Sequence, residues 1–294
     1  MYHTSSLLNH LVTQPMKLHA RVARTPSAAD RLRPVAGRHN QRLKELRQAF
    51  RRAELTVQGE CALEGIKLLE EALRSGLHLA SVFFTESARP LAEKILPQIN
   101  ARTETLVLPN ALFNSIVPSE TPQGVAALVK LPAFSSAELL QRASHGPFLV
   151  AAGLQDPGNL GTILRSAEAF GAAGIFFTEG TVSPYNWKVL RGSAGSIFRL
   201  PFVRISFSEL IPLLRAHGVR RLATSSHQGT PLPQVSWTLP LAICIGNEGA
   251  GLPREFMREM DETVVIPQSA PVESLNAGVA ASIVLYEAAR AGQR

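Results

Sequence analysis

Short apolar runs alternate with amphipathic stretches through the second half of this chain. The runs at 148–154, 174–178, 202–205, 221–224, 241–245 and 263–266 predict strands, and helical spacing predicts helices at about 159–171, 207–217, 254–260 and 274–291. Strands that are apolar throughout are buried on both faces, which is typical of parallel sheets with helical crossovers. The pattern therefore predicts an α/β domain over residues 146–294, built on a buried parallel sheet.

A less regular alternation fills the first half of the chain. Apolar residues at helical spacing predict helices over 41–54, 62–75 and 90–99, and short apolar runs predict strands at 80–84, 105–108 and 124–129. These elements predict a small α/β domain over 41–130. Turn-forming residues follow it, so we expect a linker over 131–145.

Length and composition agree with two packed domains. The chain has 294 residues, and its 45% hydrophobic content is enough to form a core in each. No apolar run reaches the roughly 18 residues that cross a bilayer, so the sequence predicts no membrane segment. The two cysteines lie far apart and no C-x-x-C pair exists, so a disulfide scaffold and a zinc site have no support. A reducing, cytoplasmic location is expected.

Positive charge is concentrated at the N-terminus. Residues 1–54 hold eleven Lys and Arg against three Asp and Glu, a net charge of +8, whereas the remainder of the chain carries −1. This distribution favours a polyanionic partner at that end, and the alternative is a solvated basic tail. The polar face of the first predicted helix supplies the candidate contacts Arg42, Lys44, Arg47 and Arg51.

Residues 1–40 are rich in Arg, Ser and His and poor in acids. We expect them to form a mobile basic extension. The same composition is also typical of an organellar transit peptide, and that alternative stays open.

Three polar turns each follow an apolar run, at 156–161, 246–251 and 274–276. In an open parallel sheet, ligands bind beyond the carboxyl ends of the strands, so we expect these turns to meet at one edge. Asn159 is the predicted N-cap of the helix after the first turn. Arg165, further along that helix, could hold a phosphate or carboxylate, or could simply pair with Glu168.

The glycine-rich second turn surrounds Glu248, which is either an acceptor for a ligand hydroxyl or amine, or merely a turn residue. The third turn predicts Ser274 as an N-cap with Asn276 in the first helical turn. Free N–H groups there favour a phosphate or carboxylate, although a helix cap without a ligand would show the same pattern.

Several common catalytic signatures are missing from the sequence. The chain contains no G-x-x-x-x-G-K-[ST], no G-x-G-x-x-G after its first strand and no G-x-S-x-G, and its histidines have no metal-ligand spacing. Glu179 stands near the end of the next strand after the first turn. A Rossmann oxidoreductase therefore remains an alternative, disfavoured by the absent fingerprint.

Three segments, taken in order, resemble motifs one, two and three of the SpoU (TrmH-like) RNA 2′-O-ribose methyltransferases of the SPOUT superfamily. They are 156–165 (DPGNLGTILR), 245–252 (IGNEGAGL) and 266–276 (Ile-Pro through Glu-Ser-Leu-Asn). Residues 191–201 (RGSAGSIFRLP) resemble a further stretch of the family. The resemblance covers about 146–292, and Glu64-Gly65 and Thr121–Gly124 extend it weakly to the family's small substrate-binding domain.

The resemblance implies S-adenosylmethionine as cofactor, an RNA ribose 2′-hydroxyl as acceptor, a deep trefoil knot and a homodimer. It further implies a role for two sets of residues. The cofactor-binding set is Thr224, Gly246, Ile266 and Leu275, and the catalytic set is Asn159, Arg165, Glu248, Ser274 and Asn276. We expect Arg165 to hold an RNA phosphate and offset alkoxide charge, because guanidinium stays protonated in proteins.

Ribosomal RNA is the favoured substrate, since a separate N-terminal domain with a basic approach resembles the ribosomal branch of the family. A transfer RNA methyltransferase is the first alternative. A non-catalytic RNA-binding protein of the same fold is the second.

Overall fold

The computed structural model describes residues 31–35, 37, 39–269 and 274–292. Its smaller, N-terminal domain contains a mixed five-stranded sheet in the order β1-β4-β3-β5-β2. The strands are β1 (Leu32–Pro34), β2 (Glu60–Glu64), β3 (His78–Thr85), β4 (Glu104–Leu108) and β5 (Val125–Lys130). The helices are α1 (Gln41–Arg52), α2 (Ile66–Arg74), α3 (Arg89–Ile95) and α4 (Asn110–Asn114).

Successive residues of β3 enter different cores, because neighbouring side chains of a strand point to opposite faces of its sheet. Phe83 packs with the apolar stripe of α1, formed by Leu43, Leu46 and Phe50. Phe84 belongs to the core on the other face, which α2 and α3 cover. Both phenylalanines are fully buried, so this sheet is an inner layer between helices.

The larger domain contains a seven-stranded sheet in the order β10-β12-β9-β11-β6-β7-β8, in which every neighbouring pair is parallel. The strands are β6 (Phe148–Ala151), β7 (Gly174–Phe177), β8 (Phe202–Arg204), β9 (Arg220–Ser225), β10 (Thr230–Pro231), β11 (Leu241–Ile245) and β12 (Glu262–Val265). The helices are α5 (Ser136–Leu140), α6 (Pro157–Ala169), α7 (Trp187–Ser193), α8 (Phe207–Ala216), α9 (Arg254–Met257) and α10 (Ala277–Gly292).

Helices cover both faces of this parallel sheet. Leu149 of β6 lies in the core that α6, α7 and α10 close, and Val150 lies in the core closed by α5, α8 and α9. Residues of β11 alternate between the same two cores. The buried parallel sheet predicted from the apolar runs is therefore confirmed.

Two predicted boundaries in the N-terminal part differ from the structure. The predicted helix over 62–75 begins only at Ile66, and residues Glu60–Glu64 form β2 instead, antiparallel to β5. Pairing with a strand more than sixty residues away decides this, and local periodicity does not register such a partner. Leu32–Pro34 pair with β4, so part of the predicted 1–40 extension belongs to the domain; residues 1–30 lie outside the described ranges.

The predicted linker over 131–145 contains α5, whose Leu139 and Leu140 are buried in the core of the larger domain. Sequence periodicity also did not indicate α7. Within the described ranges, no helix combines the length and apolar character that spanning a membrane requires.

Candidate active site

Asp156 begins the helix that carries the first turn. Its side chain accepts a hydrogen bond from the backbone N–H of Asn159 at 2.7 Å, and Pro157 occupies the first helical position. Asp156 is thus the N-cap of α6, and the prediction that Asn159 is the cap was wrong. Because Asn159 lies inside the first turn of the helix, its side-chain amide is free to make contacts elsewhere.

Glu248 connects the second turn to the first. Its Oε1 accepts hydrogen bonds from the Asn159 side-chain amide at 3.1 Å and from the Asp156 backbone N–H at 3.2 Å. Its Oε2 accepts from the Gln155 backbone N–H at 3.3 Å. Three donors from one turn therefore hold this carboxylate at the carboxyl ends of β6 and β11.

The pKa of Glu248 lies below its ordinary value. Partial removal from water would by itself raise that pKa, but the hydrogen bonds from Asn159, Gln155 and Asp156 stabilise the ionised form and outweigh it. An ionised Glu248 only accepts hydrogen bonds. Its geometry suits a group that orients Asn159 and anchors the turn.

Asn276 connects the third turn to the first. Its Nδ2 donates to Oδ1 of Asn159 at 2.8 Å, and its own Oδ1 accepts from the backbone N–H groups of Gly278 and Val279. Asn276 is therefore the residue that caps α10, and the prediction that Ser274 is the cap was wrong. The two asparagines and Glu248 form one continuous hydrogen-bonded chain, and the predicted meeting of the three turns is confirmed.

Beyond these hydrogen-bonded side chains, helices α6 and α10 run side by side in the same direction. Ser166 and Ser282 hydroxyls lie 2.7 Å apart, and the rings of Phe170 and Tyr286 meet edge to face with centroids 5.7 Å apart. Arg165 is exposed on α6 and makes no hydrogen bond or ion pair with any described residue. The structure therefore does not bring Arg165 into the network of its own chain.

A cleft of about 560 Å³ opens beside the network. All four predicted cofactor residues line it: Thr224, Gly246, Ile266 and Leu275. Glu248 and Ser274 also lie on its wall, so the cleft and the network share a boundary. The carboxyl ends of β9, β11 and β12 supply its floor.

Gly246 permits the turn that forms one side of the cleft. A Cβ at this position would lie 2.4 Å from the backbone carbon of Gly251, closer than real side chains approach. The Thr224 hydroxyl donates to the carbonyl of Cys244 at 3.1 Å and ties β9 to β11 below the cleft. On the opposite wall, the buried Oε1 of Gln268 has no hydrogen-bond partner among the described residues. The close-packed backbone around Gly246 and the unpartnered acceptor of Gln268 fit a cofactor that contains a nucleoside.

Sequence reasoning missed Asn247, which shapes the second turn. Its Oδ1 accepts from the backbone N–H groups of Gly249 and Ala250, each at 3.0 Å, and its Nδ2 donates to the Gly153 carbonyl at 3.0 Å. An asparagine at the start of a glycine-rich turn is a signal for such self-bonding. Likewise, an aspartate directly before a proline could have indicated Asp156 as the cap.

Glu168 and Glu179 both have partners that bear on the alternatives left open by the sequence. The alternative for Arg165 was an ion pair with Glu168. In the structure Glu168 instead forms an ion pair with Arg199. Both carboxylate oxygens of Glu179 accept from the backbone N–H of Phe207 at the start of α8, which leaves this residue in a capping role. No group of three or more His, Cys, Asp and Glu with metal-site geometry occurs within the described ranges.

The four candidate RNA contacts on α1 differ in their surroundings. Arg42 donates to Glu60, which is almost fully buried, and to Glu45. Lys44 and Arg51 are exposed and Arg47 is half-buried, and these three share a helix face without ion pairs to described residues. Arg42 is thus paired within the domain, whereas Lys44, Arg47 and Arg51 form a basic stripe on the surface of α1.

Comparison with known proteins gives two family matches. The model described as the SpoU rRNA Methylase family matches residues 146–286, and the MRM3-like substrate binding domain matches residues 40–127. A relative from Bacillus subtilis, the 23S rRNA (guanosine(2553)-2′-O)-methyltransferase RlmP, is 30% identical over 87% of this chain and 98% of its own. The chain belongs to the SpoU rRNA methylase family.

Other SpoU relatives agree in sequence and in structure. The 23S rRNA (uridine(2479)-2′-O)-methyltransferase of Streptomyces viridochromogenes is 31% identical over 81% of this chain and 85% of its own. The AdoMet-bound rRNA methyltransferase from Sinorhizobium meliloti superposes with a TM-score of 0.75 at 28% identity, over 88% of this chain and 98% of that one. The predicted family and the predicted α/β fold with an N-terminal substrate-binding domain are confirmed.

Proposed function

We propose that this SpoU-family protein methylates a ribose 2′-hydroxyl in ribosomal RNA, at the site formed by Asn159, Glu248 and Asn276. Its enzyme class follows from its family: it is an S-adenosylmethionine-dependent RNA 2′-O-methyltransferase. One observation carries the location of the site. The hydrogen-bonded chain and the cleft lined by Thr224, Gly246, Ile266 and Leu275 share Glu248 as their boundary. A ribose held by the three hydrogen-bonded residues would therefore lie next to a methyl donor held in the cleft.

S-adenosylmethionine, when bound, supplies a methyl group on a positively charged sulfur. The protein has to place a ribose hydroxyl in line with that methyl group and to receive or pass on the hydroxyl proton. Asn159 has both amide atoms engaged, one with Glu248 and one with Asn276, so its orientation is fixed before RNA arrives. Pre-set orientation of this kind lowers the barrier because little reorganisation remains during the reaction.

Arg165 is proposed to grip the phosphate beside the target ribose. Its guanidinium suits two-pronged recognition of phosphate, and its charge would offset the alkoxide that develops on the 2′-oxygen. Arg165 lies six residues beyond Asn159, about 9 Å further along the axis of α6. Arg165 is therefore distant from Asn159, Glu248 and Asn276 of the same subunit, which supports a role in the site of a neighbouring subunit.

A homodimer would use the exposed side of α6 and α10. Val279 and Tyr286 of α10 are large apolar residues that are 47% and 50% exposed. Arg165 is exposed on the adjacent helix, so a second copy packed on this face would receive it. Val279→Asp is expected to give monomers in light scattering and to abolish methylation; a dimeric Val279→Asp protein would contradict this interface.

Mixing two variants of reduced activity tests whether Arg165 acts across the dimer. Arg165→Ala and Glu248→Gln, refolded together, give mixed dimers in which one site keeps its own Glu248 and receives the partner's Arg165. If Arg165 acts in trans, about a quarter of wild-type activity returns, because half of the dimers are mixed and each has one intact site. If it acts within its own chain, the mixture is no more active than the two variants measured separately.

The activity itself is tested with the full-length chain. Calorimetry measures S-adenosylmethionine binding, and mapping of ribose methylation compares total RNA from cells with and without the gene. The proposal predicts cofactor binding and at least one ribosomal 2′-O-methyl mark that is lost without the gene. Absence of cofactor binding would favour a non-catalytic RNA-binding protein. A methyl mark lost from transfer RNA alone would show that transfer RNA, and not ribosomal RNA, is the substrate.

Two further features belong to this proposal. The deep trefoil knot, which the resemblance to the SpoU methyltransferases implies, is supported by the superposition of this chain on solved members of that family. A cytoplasmic location is supported by the ribosomal substrate together with two free, buried cysteines, Cys61 and Cys244.

A further inference from the structure

Residues 191–201, which form the end of α7 and the segment that joins it to β8, lie between the two domains. Gly195, in the middle of this segment, has a φ of +89°. A Cβ there would lie 2.7 Å from Cβ of Glu71, on α2 of the N-terminal domain. Glycine is therefore required twice over, for the backbone conformation and for the close approach to α2.

Arg199, four residues later, joins both domains with one side chain. Its Nη1 donates to Oε2 of Glu71 at 2.9 Å and to the hydroxyl of Ser75 at 3.1 Å, both in the N-terminal domain. Its Nε and Nη2 donate to the two carboxylate oxygens of Glu168, the second at 3.0 Å. Glu168 lies on α6, the helix that begins at the catalytic network.

The same segment contacts α6 at a second point. Gly192 packs against Gly161, where a Cβ on Gly161 would come within 2.8 Å of the Gly192 Cα. This contact lies two residues after Asn159, and the Glu168 contact lies near the end of the helix. The segment is therefore fastened along most of the length of α6.

Further contacts hold the N-terminal domain in the same orientation. Arg204 pairs with Glu54 at 2.9 Å, and the hydroxyl of Ser183 donates to the carbonyl of Ala53, just after the basic helix α1. Trp187 of α7 packs against the core formed around α1. Polar contacts thus tie both α2 and the residues that follow α1 to the larger domain.

We propose that residues 192–199 are a joint that sets the N-terminal domain over α6, and that Arg199 is the positioning residue within it. The inference rests on the proposed function, in which the N-terminal domain holds ribosomal RNA. With the joint intact, RNA held by that domain presents its target ribose to the network at the start of α6. A shift of about 1 Å in such an arrangement can lower the rate about a hundredfold.

The alternative is that these ion pairs only add stability. Pairs that are partly exposed contribute little to folding, so a purely structural role predicts a small effect on everything. A positioning role predicts a selective loss of turnover. Turnover and RNA affinity, measured separately, distinguish the two.

The test uses full-length Glu71→Gln, Glu168→Gln and Arg199→Ala, with Arg199→Lys as the conservative variant. Glu71→Gln removes the ion pair of Arg199 with the N-terminal domain, leaving its hydrogen bond to Ser75 and its pairing with α6. Glu168→Gln removes instead the ion pair with α6. Glu93→Gln is the matched control, because Glu93 is an exposed carboxylate of the same domain whose one ion pair among the described residues is with Arg89 of its own helix.

Wild type and variants are compared in kcat and KM for ribosomal RNA, in S-adenosylmethionine affinity, and in the map of methylated riboses. Glu71→Gln and Arg199→Ala are expected to lose about tenfold or more in kcat and to gain methylation at riboses beside the target, with KM and cofactor affinity within about twofold of wild type. Arg199→Lys, which keeps the charge without the two-pronged contact, is expected to be intermediate. Glu93→Gln is expected to match wild type.

Amide hydrogen exchange gives a readout that does not depend on activity. Exchange in α2 and in 195–201 is expected to speed up in Glu71→Gln but not in Glu93→Gln. A wild-type protein without methylation activity would refute the proposed function and leave the exchange result standing. An active wild type with unchanged kcat in Glu71→Gln and Arg199→Ala, or with a rise in KM alone, would overturn the positioning role.

Discussion

The side-chain amide of Asn276 donates a hydrogen bond to Oδ1 of Asn159 across 2.8 Å, although the two residues are 117 positions apart in the sequence. This contact joins the first turn of α6 to the N-cap of α10. Because Asn159 then donates to Glu248, the position of each residue depends on the other two. Changes at any of them should therefore affect one shared function.

Asn159→Asp should disable the site while leaving the fold intact. The new carboxylate would face the carboxylate of Glu248 at the position where an amide now donates, and two negative charges at hydrogen-bond distance repel. We expect kcat to fall about a hundredfold or more, in the range seen when one oriented polar group is lost. Asn159→Ala, which removes the donor without adding charge, should retain more activity than Asn159→Asp. Equal activity of the two variants would contradict the argument.

Arg165→Ala should lower both turnover and the salt dependence of RNA binding. Losing one phosphate contact reduces the slope of log affinity against log salt by about one unit. We expect kcat/KM to fall about 10²-fold to 10³-fold, with S-adenosylmethionine affinity unchanged. Arg165→Lys should recover a substantial part of both RNA affinity and rate, since the charge is retained.

Arg258, an exposed arginine after α9, gives the matched control, and Arg258→Ala should have neither effect. If Arg165→Lys were as inactive as Arg165→Ala while both bound RNA normally, a proton-transfer role for the guanidinium would be favoured instead.

Glu248→Gln should change the acid stability of the protein but not the shape of its rate profile near neutrality. The folded state lowers the pKa of Glu248, so the carboxylate stabilises the fold above its unfolded value of about 4.3 and this contribution is lost as the pH falls through the lowered folded value. The unfolding free energy of wild type should therefore fall more steeply below about pH 4.3 than that of Glu248→Gln. Urea titrations across the acid range measure this difference.

Glu248 does not titrate near neutral pH, so kcat for wild type and Glu248→Gln should vary in parallel between about pH 6 and 9, with the variant lower throughout. A change in the shape of the profile in that interval would show that another group depends on Glu248 for its pKa.

The basic stripe of Lys44, Arg47 and Arg51 should bind RNA, whereas Arg42 should mainly stabilise the N-terminal domain. Each stripe residue changed to Ala should reduce the salt slope by about one unit without lowering the melting temperature. Arg42→Ala should cost on the order of 3 kcal/mol, because it leaves the buried Glu60 carboxylate without its charged partner. Filter binding at several salt concentrations and thermal unfolding separate the two effects.

Gly161→Ala should destabilise the larger domain. The added methyl would lie 2.8 Å from the Gly192 Cα, so α6 and α7 would have to move apart, at a cost of about 1–3 kcal/mol. Gly292→Ala provides the control, because a Cβ at that position meets no atom within 4 Å. Chemical unfolding of both variants tests the prediction, and an unchanged midpoint for Gly161→Ala would show that the helices shift freely.

The residues of the site could be predicted more fully than the details of their arrangement. Glu248, Asn159 and Asn276 each follow a buried strand, and parallel strands bring their carboxyl ends to one edge, so convergence followed from the pattern alone. Which residue caps α10 did not follow, because Asn and Ser are both competent caps and only the backbone conformation selects between them. The cap of α6 was missed for another reason: the proline after Asp156 is a local signal for the helix start, and apolar periodicity does not include it.

By itself, the sequence determined the buried parallel sheet, the three polar turns, the family and hence the chemistry, because apolar periodicity and short motifs are local properties of the chain. The tertiary structure alone decided that Glu60–Glu64 form a strand, that Arg42 serves Glu60, and that Arg199 joins α6 to the N-terminal domain. Each of these depends on a partner far away in sequence. A contact with such a partner does not affect the local hydrophobic periodicity of the sequence. The interaction that stabilises the arrangement forms only when folding brings the two residues together.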